Sequence, residues 1–232
     1  MKQSNEAEKI ETYLKRFQLH AIFNEQLIPR LSLRQFEVGE RICSQGDESD
    51  YLFVLVKGKV KISTTSREGK NLILGFKTPV EVIGDIEYVR GTTILNTVEA
   101  VTAVEMLVVT RRDVDQFAGD DPNLLRFLLQ IITQKFYIKS NALSFNLMYP
   151  VEVRLASYLL SSAFDDANSN VHQELKTSIL PDAADLIGTS YRHVNRVIQR
   201  FTEEGIIRRD NGVMTILNRK KLEQLANNNI YE

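Results

Sequence analysis

The sequence holds a single cysteine, Cys43. That excludes an intramolecular disulfide, and a cysteine-only zinc or iron–sulfur site within one chain. The three histidines, His20, His172 and His193, stand far apart and show no metal-ligand spacing. No stretch reaches the roughly 18 apolar residues of a membrane span. The charged start, MKQSNEAEKIETYLKRF, is unlike a signal peptide, so the cytoplasm is the expected location. Catalytic patterns are equally scarce. There is no Ser/His/Asp arrangement, phosphate loop or carboxylate pair tied to a cleft, so neither an enzyme nor a cofactor is expected. Nor does charge of one sign dominate. The formal net charge is −1, and any attraction for a polyanion must come from a local patch.

What is present is an ordinary globular composition, 43% hydrophobic and 25% charged, in a length of 232 residues that allows two domains. Residues 1–35 read as short helices, with Ile10, Tyr13, Leu14 and Phe17 at helical spacing. From Phe36 to Arg111 the texture changes. Short runs rich in Val, Ile, Leu and Phe are punctuated by Gly46-Asp47, Lys57-Gly58, Glu68-Gly69, Gly84-Asp85 and Arg90-Gly91. Turn signals spaced roughly 8–12 residues apart predict an all-β barrel or roll. YLFVLVKGKVKIST alternates apolar and polar after its glycine, and the loop 65–70 prepares a hairpin into NLILGF.

Asp121-Pro122 then opens a long helix, Asp121 as N-cap and Pro122 at the first helical position. Neither Gly nor Pro interrupts it before Met148, which makes it about 40 Å long at 1.5 Å per residue. It carries two apolar stripes: Leu125, Leu129, Ile132, Phe136 and Leu143; and Leu124, Leu128, Ile131, Ile138, Ala142 and Phe145. A helix packed on its own domain needs one stripe. Two at roughly heptad spacing predict one face on the roll and the first-named face on a partner copy. Tyr149-Pro150 ends the helix. An amphipathic helix is expected over 151–164 (Val153, Leu155, Ala156, Leu159, Leu160), then a polar loop, FDDANSNVHQ, and a short strand, ELKTSIL.

The most informative stretch is PDAADLIGTSYRHVNRVIQRFTEEGIIRRDNGVMTILN. Pro181 opens a short helix, Gly188 ends it, and Thr189 or Ser190 caps a second helix from about Tyr191 to Glu204. Two helices joined by a tight glycine turn form a helix-turn-helix pattern. In the second, Val194, Val197, Ile198 and Phe201 share an inward face, and Tyr191, Arg192, Asn195, Arg196 and Gln199 share the other. Arginine can donate two hydrogen bonds to guanine, and Asn or Gln can pair with adenine. Asp210-Asn211-Gly212 turns IIRR into VMTIL as a hairpin wing. From Gly188 to Lys221 there are eight basic residues and three acidic ones, the concentrated positive charge that phosphate binding requires.

The segments ICSQGDESDYLFVLVKGKVKI, EGKNLILGF, VIGDIEYV, VEVRLASYLL and IGTSYRHVNRVIQRFTEEGII, in this order and spacing, resemble the CRP/FNR superfamily. The resemblance runs from about Phe36 to the end. IGDIEYV, GTSYRHVNRV and NRKKLEQLA are most similar to the YeiL-type subgroup. It implies an α+β chain with a β-roll sensor domain of the cyclic-nucleotide-binding type over 1–121, a dimerisation helix over 122–148 and a winged helix-turn-helix over 149–232. It also implies a homodimer on double-stranded DNA with half-sites about one helical turn apart. Thr189 and Ser190 would hold the DNA backbone. RNA polymerase is the implied partner if the protein activates, with an unknown small molecule as a further partner.

Departures from the family pattern matter as much. Cyclic-AMP-binding members use a Gly-Glu pair and, about ten residues later, an Arg-Ser pair. Here Gly84 is followed by Asp85, and the Arg-Ser position falls near Leu95-Asn96. A cyclic phosphate would lack its buried counter-charge, which costs several kcal/mol, so cyclic AMP is not the expected effector. Arg90 or Lys139 can in principle substitute. Lys139 and Ser140 fall where the family's long helix touches the nucleotide, and two readings of Lys139 stand: a partner for an anionic effector, or a lysine laying its stem on apolar surface. The roll's interior beside Gly84 and Asp85 is expected to be filled or apolar. Oxygen-sensing members need several cysteines and haem-sensing members a sensor-domain histidine, and neither is available. Cys43 reads as a small packed hydrophobe, with intersubunit redox chemistry as the alternative. Arg192 stands where the cyclic-AMP and oxygen regulators place a cytosine-reading Glu, and the next arginine is kept as Arg196. A different class of function also fits the roll, a ligand-binding module acting through protein contacts.

Overall fold

The computed structural model describes residues 2–69, 71–164 and 174–226. They fall into two compact units, Met1–Phe136 and Tyr137–Glu232. In the first, α1 (Lys2–Arg16) and two 3₁₀ turns (Leu19–Ala21, Ile28–Arg30) precede two four-stranded antiparallel sheets. The strands are β1 (Ser32–Phe36), β2 (Arg41–Cys43), β3 (Tyr51–Lys57), β4 (Val60–Thr65), β5 (Asn71–Lys77), β6 (Glu81–Ile83), β7 (Thr97–Ala100) and β8 (Val104–Thr110). One sheet runs β1-β8-β3-β6, the other β2-β7-β4-β5. A short helix, α2 (Asp85–Arg90), separates β6 from β7, and α3 (Arg111–Phe117) follows β8.

Strand β3 shows why this chain folds as a roll with a helical coat. Its side chains alternate between faces, as any strand's do, yet both sets are apolar. Leu52, Val54 and Val56 pack with Leu14, Leu19, Phe23, Leu27, Val114, Leu124 and Leu128 from the helical segments. Phe53 and Leu55 point the other way, into a cluster with Val60, Ile83, Val98, Met106 and Val108 between the sheets. A strand buried on both faces reads as a continuous hydrophobic run, which YLFVLV is. The cluster between the sheets is apolar, whereas buried Glu81, Asp85 and Glu87 lie at and beside Gly84.

One boundary differs from the sequence reading. Residues 32–35 are strand rather than helix. SLRQF pairs with β8 from Ser32↔Val108 to Phe36↔Val104. It lies at the sheet edge, half-exposed, with Leu33 packed on the helix side and Phe36 on the roll side. That weak one-strand pattern has no helical period to give it away.

Helix α4 (Pro122–Met148) begins in the first unit and ends in the second. Asp121 caps it: Oδ1 accepts from the Asn123 amide (2.9 Å), and Oδ2 accepts from Asn24 (2.9 Å). These bonds, Asn24's first, hold the Asp121 carboxyl below its ordinary range.

The second unit holds α5 (Val151–Phe164), β9 (Glu174–Lys176), α6 (Leu180–Leu186), α7 (Tyr191–Glu203), β10 (Ile207–Asp210), β11 (Val213–Ile216) and α8 (Arg219–Leu225). Its antiparallel sheet runs β10-β11-β9. The loop expected over 164–173 lies, from Asp165 onward, outside the described residues. Of ELKTSIL only Glu174–Lys176 is strand; Thr177–Ile179 is a 3₁₀ turn leading into α6, because Pro181 favours the first turn of a helix over a continued ladder. Helix α5 was expected to be amphipathic, but residues 154–160 are all buried, since α7, α8 and β9 all pack against it.

Gly58, between β3 and β4, has φ +91°, and a Cβ there would collide with the Ala103 carbonyl oxygen. We expect Gly58→Ala to destabilise the protein by roughly 2 kcal/mol or more in denaturant titration. Unchanged stability would mean the turn is not held as described.

Candidate nucleic-acid interface and effector site

The turn between α6 and α7 is exposed at Gly188 and Ser190 and anchored by the buried Ile187. Gly188 has φ +65°, a left-handed conformation suited to glycine. Its amide donates to Asp185 O (3.2 Å) and the Thr189 amide to Ala184 O (2.9 Å), the paired bonds of a glycine-capped helix end. The Ile187 carbonyl accepts from Nη1 of Arg154, a buried arginine on α5. Ser190, not Thr189, then caps α7: its Oγ accepts from the His193 amide (3.2 Å). Thr189 is half-buried, with its Oγ1 3.4 Å from His193 Nδ1.

Helix α7 divides as its sequence pattern demands. Val194, Val197, Ile198 and Phe201 are buried in the second unit's core. Tyr191, Arg192, Arg196 and Gln199 are exposed, and Asn195 is half-buried. The hairpin β10–β11 turns at Asn211 (φ +45°) and Gly212 (φ +80°), the two positive angles of a tight hairpin turn. The basic charge is partly spent within the unit. Arg200 pairs with Glu152 and Glu204, Lys221 with Glu204, and Arg219 with Glu223. Arg192, Arg196, Arg208, Arg209 and Lys220 make no ion pair with a described residue, and these five set the segment's positive surface.

The residues expected at an effector site are Gly84, Asp85, Asn96, Lys139 and Ser140. Gly84 is buried with φ +89°, and a Cβ would lie 2.7 Å from Tyr51 O. Asp85 is only 2% exposed. Both its oxygens accept from Lys135 Nζ at 2.9 Å, and the same ammonium lies 2.9 Å from Glu81 Oε1 and donates to Val82 O (2.6 Å). Lys77 pairs with the other Glu81 oxygen (3.4 Å). Asn96 is half-buried. The neighbouring Leu95 amide is already taken by the buried carboxylate of Glu87 (2.9 Å). Arg90 is exposed, and Lys139 and Ser140 are exposed on the part of α4 assigned to the second unit.

Sequence reasoning passed over Lys135, Glu87 and Arg154. Lys135 had a readable signal: it continues the inner stripe Leu124, Leu128, Ile131 at helical spacing, where a lysine is out of place unless a carboxylate waits for it. Glu87 and Arg154 gave none, since each acts on a backbone group distant in sequence.

Cys43 is half-buried. Burial, aided by the Glu87 carboxylate, pushes its thiol up to about 12. Among the described residues no group of His, Cys, Asp and Glu could hold a metal ion, and no helix is long and apolar enough to cross a membrane.

The family model of the cyclic nucleotide-binding domain matches residues 33–121, and that of the Crp-like helix-turn-helix domain matches residues 153–225. The chain is similar to regulatory protein YeiL of Escherichia coli O157:H7, 26% identical over 194 residues, covering 84% of this chain and 85% of that protein. A CRP-like cAMP-activated global transcriptional regulator of Mycobacterium tuberculosis is 22% identical over 202 residues, covering 86% and 90%. Among solved structures, a regulator of the CRP/FNR family from Eubacterium rectale shares the fold with a TM-score of 0.80 at 18% identity, covering 92% of this chain and 99% of that one.

We expect Lys135→Met, which strands the buried Asp85 carboxylate and leaves Glu81 with Lys77 alone, to destabilise the protein by roughly 3 kcal/mol, read by denaturant titration; a neutral result would show the ion cluster to be dispensable. Cys43 is expected to react with a maleimide at neutral pH about a thousandfold more slowly than a free cysteine, because the thiolate is the nucleophile. Unfolding should abolish the difference, and labelling of the native protein at the free-cysteine rate would contradict it.

Proposed function

Because the chain belongs to the CRP/FNR superfamily of transcription regulators, with its cyclic nucleotide-binding and Crp-like helix-turn-helix domains, we propose that it acts as a cytoplasmic homodimer on a palindromic operator. The observation that carries this reading is the division of α7, whose apolar side is anchored in the core while Arg192 and Arg196 project into solvent. Arg196 reads a guanine in each half-site. Arg192 reads a second guanine at the position where relatives with Glu accept from cytosine. Tyr191 touches a phosphate or a thymine methyl, Thr189 and Ser190 hold the backbone, and Asn195 and Gln199 complete the row facing the groove.

Dimerisation is supported by the face of α4 that bears Leu125, Leu129, Ile132, Phe136 and Leu143. Leu129 is 65% exposed, Phe136 72% and Leu143 61%, and Ile132 is half-buried. Large apolar side chains at heptad spacing on one helix are stable in water only against a partner. The effector of the roll is not cyclic AMP on this reading. A phosphate near Leu95-Asn96 would meet the Glu87 carboxylate instead of an arginine, and Lys135 is already committed to Asp85 and Glu81. Gly84, Asp85, Asn96, Lys139 and Ser140 stay the candidates for contact with another small molecule. RNA polymerase is the further partner if the bound protein activates.

The test is selection of duplexes from random DNA followed by affinity measurement at several salt concentrations. A palindrome should emerge, binding should weaken steeply with salt, and Arg196→Ala should cost about 1–3 kcal/mol per half-site contact. No preference among duplexes, or full affinity in the Arg196→Ala protein, defeats the reading. It would leave the ligand-binding module that acts through protein contacts.

A further inference from the structure

By residue type Asn195 is an adenine reader, but that task needs both ends of its amide, an acceptor for N6 and a donor for N7. Both ends are engaged within the protein. Nδ2 donates to Tyr191 O (3.2 Å), and Oδ1 accepts from Nη1 of Arg209 on β10 (2.9 Å). Arg209 brings five donors in a rigid fork. One is spent on Asn195, the side chain is exposed, and no described acid pairs with it.

The hairpin register fixes where the remaining donors lie. Arg209 is opposite Met214, and Arg208 is opposite Thr215. Cross-strand partners share a face, and successive residues alternate. Met214 is in the unit's core, so Arg209 lies on the side of the wing turned toward α7 and Arg208 on the other. A guanidinium is thereby suspended between the recognition helix and the wing. With α7 in a major groove, the wall that enters this notch is the sugar–phosphate backbone.

We propose that Arg209 is a phosphate contact held against the recognition helix by Asn195, and that Asn195 is a positioning residue instead of a base reader. The proposal rests on the operator-binding reading above and deepens it. Arg209 fixes how far the wing stands from α7, and its planar fork suits a phosphate while one donor stays on the amide.

The experiment uses the full chain, the duplex selected from random DNA, its single-base-pair variants and an unrelated duplex of equal length, with affinity followed across salt. Arg209→Ala is expected to weaken binding to selected and unrelated duplexes alike, by about tenfold, and to reduce the salt slope by about one per protomer. Asn195→Ala is expected to weaken binding about threefold without changing which base pair is preferred at any position. It should add nothing in the Arg209→Ala background, because it acts through that arginine. Arg209→Lys should keep the salt slope while recovering part of the affinity, which separates a lost contact from a lost fold. Loss of preference at one base pair in Asn195→Ala, or an unchanged salt slope in Arg209→Ala, overturns the proposal while leaving operator binding intact. A wild-type protein that does not prefer the selected duplex takes both readings down together.

Discussion

A carboxylate that folding removes from water must be met by a cation or give up its charge, and in the first unit Asp85 is met by Lys135. That meeting organises its surroundings. The ammonium is reached by Asp85 from the start of α2, by Glu81 from β6 and by the Val82 carbonyl of β6, so the end of β6 and the start of α2 converge on one side chain of α4. The same contact sets the rotation of α4 about its axis. With Lys135, Leu128 and Leu124 turned to the roll, helical geometry leaves Leu125, Leu129 and Phe136 about a quarter-turn away, where they are exposed. The exposure of this second apolar face is therefore tied to an ion pair made on the neighbouring face.

The cluster also bears on what the roll can sense. In relatives activated by a cyclic nucleotide, the resemblance places the ligand beside the positions of Gly84 and Asp85. In this chain an internal lysine neutralises the carboxylate at that point, and Glu87 holds the loop where an arginine would be needed. A ligand that displaced Lys135 would have to supply its own positive charge or leave Asp85 stranded and Glu81 with Lys77 alone.

Much of this was legible beforehand, and the reasons are specific. Gly188, Ser190 and the apolar spacing of Val194, Val197, Ile198 and Phe201 marked the helix-turn-helix because glycine φ, capping and periodicity are local signals. The two stripes of α4 were legible for the same reason, and Leu124 and Leu128 do pack on the roll while Leu129 and Phe136 do not. What escaped depends on distance along the chain. Arg154 acts on the carbonyl of Ile187, Glu87 on the amide of Leu95, and Arg209 on Asn195; no periodicity reports such pairings. β1 escaped because an edge strand wetted on one side carries too little pattern, and α5 looked amphipathic because Ser157 and Arg154 read as polar although both lie inside.

The anchoring of the α6–α7 turn has a consequence for how such a protein diverges. The start of the recognition helix is fixed from within, by Arg154, the glycine-capped end of α6 and the Ser190 cap. Arg192, Arg196 and Gln199 take no part in that framework. Folding therefore places little constraint on these exposed positions. A lineage can vary the exposed residues of this helix, position 192 among them, while the turn and the buried face that hold it stay as they are.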